Sequence, residues 1–75
     1  MGQKLPALTP AEMVRALQKA GFRVVRQSGS HVIMYKEGLP RPIPVPVHSK
    51  ELKQNLQNRI IKEAGLTIEE FRKFL

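Results

Sequence analysis

Seventy-five residues make a single domain over residues 1–75 and leave no room for a second. The absence of cysteine removes disulfides and thiolate zinc sites as supplements to a thin core. Thirteen Lys and Arg against six acids give a formal net charge of +7, which argues against basic partners and favours polyanions.

The N-terminus Met1-Gly2-Gln3-Lys4-Leu5-Pro6 carries no long apolar stretch, and no apolar run approaches the ~20 residues that cross a bilayer. A cytoplasmic protein without membrane attachment is therefore expected. Thr9-Pro10-Ala11-Glu12 reads as a helix start: Thr9 caps an orphan amide, Pro10 suits the first helical position and Glu12 completes a capping box. Met13, Val14, Leu17 and Ala20 follow helical spacing, and Gly21 stands where a left-handed residue ends the helix. Arg15 and Lys19 fall off that stripe. With Arg23, Arg26 and Lys36 they form a basic stretch that no acid interrupts between Glu12 and Glu37, so one positive side of the fold is expected.

Residues 22–28 and 31–36, rich in Val, Ile, Phe and Tyr, flank Ser28-Gly29-Ser30 and predict a hairpin. In the next segment Pro42, Pro44 and Pro46 alternate with Ile43, Val45 and Val47. Backbone groups of a strand point alternately to its two sides, so the missing donors lie along one edge and the odd-numbered residues remain free to pair. An edge strand that resists further pairing follows. Beyond His48, Leu52, Leu56, Ile60 and Ala64 recur at steps of four before Gly65. Either one helix runs from Ser49, or Asn55 caps a shorter one over residues 56–64 after a turn; the break is favoured. Thr67 with Glu70 starts a last short helix, with Leu66 stapled onto Phe71. The expected architecture is α+β, order α-β-β-β-α with an extra short C-terminal helix, and one face of its three-stranded antiparallel sheet stays open for a ligand.

The chain contains no serine elbow, phosphate-cradling glycine loop or metal-binding histidine motif, so no cofactor or metal is expected. Adjacent Glu69 and Glu70 point in different directions and suit a first helical turn better than acid–base work. Tyr35 reads as a sheet residue, and four aromatics are too few for binding by base stacking. His31 and His48 remain, bearing the side chain whose reference pKa of about 6.5 suits proton transfer near neutrality. RNA offers such a group a task. A base takes the proton of a 2′-hydroxyl so that its oxygen attacks the neighbouring phosphate, and an acid protonates the departing 5′-oxygen. Lys and Arg steady the charge that develops. On this basis Lys4, Arg23, Arg26, Ser30 and Lys36 are candidates for holding RNA. Read from the residues alone, a histidine after a glycine turn is more often structural than catalytic.

Lys4-Leu5-Pro6, a helix ending at Gly21-Phe22, Arg26-Gln27-Ser28-Gly29-Ser30-His31, Val45-Pro46-Val47-His48 and Ala64-Gly65-Leu66 before Glu70-Phe71 occur in this order. Together they resemble the HicA family of mRNA-cleaving toxins, nearly end to end. The resemblance implies a fold like the double-stranded-RNA-binding domain, an endoribonuclease acting on mRNA, growth arrest, and a HicB-type antitoxin that covers the active site. It also implies a catalytic role for His31, as acid or base, and matches His48 to a second recurring histidine. One departure stands out: Asn55-Leu56-Gln57 occupies the place where the family often carries Gly-Thr-Leu before its last long helix. A non-catalytic RNA-binding module, or an interaction domain with an incidental histidine, would use the same charge.

Overall fold

A computed structural model describes residues 5–75; Lys4 lies outside them. The first helix, α1, spans Pro10–Lys19 and starts where the local chemistry places it. The Thr9 hydroxyl accepts from the Glu12 amide at 3.1 Å, and the Glu12 carboxylate accepts from the Thr9 amide at 2.9 Å. At the other end Gly21 takes φ +104°, a conformation that costs a glycine nothing and most residues much. The turn lets the Phe22 amide reach the Leu17 carbonyl at 2.9 Å and the Gly21 amide reach that of Gln18 at 3.0 Å, which satisfies two orphan carbonyls.

Three strands follow, β1 (Arg23–Ser28), β2 (His31–Tyr35) and β3 (Ile43–Pro46), in one antiparallel sheet of order β1-β2-β3. Gly29, at φ +57°, is the only residue of the two-residue hairpin loop with positive φ, as a type II′ turn with glycine first requires. Val32 pairs with Val45 and Met34 with Ile43. These four side chains face the helices, and Met34, Ile43 and Val45 are buried with Met13, Leu17, Ile60, Ile61 and Phe71. The Val47 amide donates to the Ser30 carbonyl at 2.7 Å. Alternation then turns the amides of Ile43 and Val45 toward β2 and the nitrogens of Pro44 and Pro46 outward, as the proline pattern predicts.

Helix α2 covers Gln54–Glu63 and α3 covers Ile68–Arg72. The break before α2 agrees with the sequence reading, but its cap does not. Lys53 is the N-cap, no side chain caps the helix, and Asn55 sits inside the first turn. The first turn serves the preceding chain instead. Gln54 Nε2 donates to the Leu5 carbonyl at 2.6 Å, and Gln57 holds the arm at Pro6 and Leu8. Thr67 and Glu70 form the expected capping box, with Leu66 and Phe71 both in the apolar core. The result is the expected α+β arrangement in the order α-β-β-β-α-α, with helices on one sheet face. Among the described residues no helix is long and apolar enough to cross a membrane.

Candidate functional site

The helices cover the Val32–Met34 side of the sheet, and the opposite face carries His31, Ile33 and Tyr35 from β2 with Pro44 and Pro46 from β3. What β1 adds depends on an irregularity. Arg23 and Arg26 are three residues apart and would face opposite sides of a regular strand. The register shifts between Val24 and Arg26, however: Arg23 pairs with Tyr35, Val24 with Met34, Arg26 with Ile33 and Ser28 with His31. Directly opposed residues share a face. Ser28 opposes His31 across the turn and Arg26 lies two residues before it, so both share the open face with His31, and the bulge at Val25 brings Arg23 there as well. In unbroken alternation counted back from Arg26, Arg23 would face the helices.

His31 opens β2 immediately after the turn and is half-buried, with Ser28 on one side and Pro46 on the other. Its backbone belongs to the ladder, so the ring is carried by a paired strand. The Arg23 guanidinium lies 5.9 Å from the centre of the Tyr35 ring, within the range of a cation–π contact. The Tyr35 hydroxyl donates to the Leu39 carbonyl at 3.1 Å, which fixes the ring as a support for Arg23. Arg26 has neither a hydrogen-bonded nor an ionic partner among the described residues. A guanidinium without a carboxylate, on an open apolar-floored face beside an imidazole, is available to an anion.

The other candidates are distributed unevenly. Ser30 is exposed in the turn and its carbonyl is engaged by Val47. That bond draws the end of β3 to the turn, so His48, exposed one residue later, lies at the same end of the sheet as His31. Lys36 goes elsewhere: Nζ donates to the Ala20 carbonyl at 3.0 Å and stands 5.9 Å from the Phe22 ring. It closes the C-terminal end of α1, where a cation also meets the negative end of the helix. Arg15 and Lys19 line a cleft with Pro6, Leu8, Phe74 and Leu75 on the helical side. The uninterrupted basic stretch is thus split between two sides rather than gathered on one. Replacing Lys36 with Met should lower unfolding free energy by about 1 kcal/mol, measured by denaturant titration.

Sequence reasoning did not single out Ser28 or Val25. The only local sign of the bulge is that Val24-Val25-Arg26-Gln27 breaks strict alternation. Among the described residues no group of three or more His, Cys, Asp or Glu is gathered as metal ligands are. Residues 10–66 match the family described as the HicA toxin of bacterial toxin-antitoxin systems. Comparison with curated proteins returns no match.

Proposed function

Because the chain belongs to the HicA family, the toxins of bacterial toxin-antitoxin systems, we propose that it arrests growth by cutting mRNA, with His31 moving the proton. The observation that carries this reading is the bulge of β1, which gathers Arg23, Arg26 and Ser28 on the face of His31. The proposed chemistry follows from that grouping. A backbone phosphate lies against the two guanidinium groups, which neutralise the charge that grows on its oxygens as the bond forms. The imidazole takes the proton of the adjacent 2′-hydroxyl, the oxygen attacks phosphorus, and the bond to the 5′-oxygen breaks. The departing oxygen collects a proton from a second acid, for which His48 is the candidate at the same end of the sheet. In the alternative assignment His31 gives this proton and the base lies elsewhere. Neither assignment calls for a metal, since a hydroxyl already held beside the phosphate needs only a base and a charge clamp.

The purified protein is expected to cleave single-stranded RNA in excess EDTA and to leave DNA of the same sequence intact, because DNA has no 2′-hydroxyl. Cleavage that needs added metal, or equal attack on DNA, would overturn the mechanism. RNA binding without cleavage would leave a binding module of the same fold. Arg26→Ala should weaken RNA binding about equally for all sequences and lower the salt slope by about 1, read from binding isotherms at several salt concentrations. A toxin of such a pair has a cognate antitoxin. The proposed antitoxin is a HicB-type protein, and a basic surface suits an acidic partner; a small acidic protein encoded beside this chain should bind it and suppress cleavage.

A further inference from the structure

The two edges of the sheet are built differently. Pro44 and Pro46 remove the donors from the outer edge of β3, so nothing can extend the sheet there. No proline closes β1, whose one irregularity is the bulge at Val25. Its six residues include no proline and all are exposed, and among the described residues no backbone bond outside the ladder with β2 engages them. Val24 and Val25, each 43% exposed, are two of the exposed large apolar residues of the chain. The parity of the ladder tells which groups are free. Ser28 and His31 close the two-residue hairpin and direct their amides at each other, so the amide and carbonyl of Gln27 point outward. Beyond the bulge, Arg23 pairs inward with Tyr35, and Val24 points outward.

We propose that this edge is the docking site for an extended acidic segment of a partner protein, which joins the sheet as a fourth strand beside β1. The outward amides and carbonyls of Val24 and Gln27, which stand opposite Met34 and Val32 two residues apart on β2, are complemented by another polypeptide backbone. Side chains of the added strand alternate as those of β1 do. On the open face they meet Arg23 and Arg26, which select carboxylates, and on the helical side they meet Val24, which selects an apolar residue. A second copy of the chain does not fit this description. Antiparallel pairing centred on Val24 and Val25 sets Arg23 against Arg26, and each copy carries +7; like charges directly opposed are destabilising. Carboxylates next to the two arginines would also displace an RNA phosphate from them. That consequence rests on the cleavage reading, whereas the docking itself does not.

A short peptide in which Glu alternates with Val is the probe, titrated into the full chain with amide exchange followed residue by residue. Exchange should slow at Val24 and Gln27. Methylating the peptide nitrogens that face β1, or the variant Gln27→Pro in the protein, should weaken binding roughly tenfold. His31→Ala should bind the peptide as the unaltered chain does, even if the cleavage reading fails. Equal binding of the N-methylated peptide, equal binding of a Lys–Val peptide, or slowing of the same two amides by an RNA oligonucleotide instead would each overturn the proposal. If Gln27→Pro does not fold, the N-methylated peptide decides the matter, since it leaves the protein untouched.

Discussion

His31→Ala is expected to reduce RNA cleavage by ~10²–10⁴-fold, the usual contribution of a positioned acid or base, and to abolish growth arrest. The variant should otherwise resemble the parent. The imidazole is only half-buried, and the pairing of His31 with Ser28 and Pro46 runs through backbone positions that alanine preserves. Far-ultraviolet dichroism and the thermal midpoint should therefore change little, and RNA should still bind through Arg23 and Arg26. Because the face is open, imidazole added to the solution should restore part of the lost rate, which a purely structural histidine would not allow. Full activity of the variant would move the proton transfer to His48. Loss of folding along with activity would make His31 a sheet residue first.

The second large effect concerns stability. Gln57 is the one buried polar side chain among the described residues, at 0% exposure. Its Oε1 accepts from the Leu8 amide at 2.6 Å and its Nε2 donates to the Pro6 carbonyl at 3.3 Å. The segment from Leu5 to Leu8 belongs to no helix or strand, yet Leu5 and Leu8 are core residues. Its backbone groups must find partners outside itself. Gln57 and Gln54 supply them, together with the bond from the Leu52 amide to the Leu8 carbonyl at 2.8 Å. Gln57→Ala leaves a buried amide and a part-buried carbonyl without partners, each costing about 1–3 kcal/mol. A loss of roughly 2–5 kcal/mol follows, against a total of order 5–10 kcal/mol for a small domain. The midpoint of urea unfolding should fall sharply with its slope unchanged. A loss under about 1 kcal/mol would mean that water or another side chain takes over both bonds.

Gln57 lies in the stretch where the resemblance expects a different string. The third residue of Asn55-Leu56-Gln57 is turned inward to clamp the N-terminal arm. Asn55 reads as a cap because asparagine is a good one. The structure uses Lys53 as the N-cap instead. The start of α2 is set by where Gln54 and Gln57 must stand to reach the arm, a demand from residues some 49 positions earlier in the chain that no local window reveals.

The remaining differences have one cause. The ends of α1, the start of α3, the hairpin turn and the blocked edge of β3 were legible in the sequence because each depends on groups a few residues apart: Thr9 with Glu12, Thr67 with Glu70, Gly29 in its loop, and alternating prolines. His31 was legible as a candidate for the same reason, standing directly after that turn. Its surroundings were not. Which face a strand residue occupies is a matter of parity, and a single extra residue inverts it for everything beyond. Val25 does this for Arg23, and only pairing against β2 determines that the bulge falls there. Lys36 shows the same limit, since its charge was evident but its reach to the Ala20 carbonyl joins residues sixteen positions apart. Local sequence sets most of the elements and offers two histidines as candidate proton carriers; which charges stand beside them is settled by pairing register and packing, because these are properties of distant segments acting together.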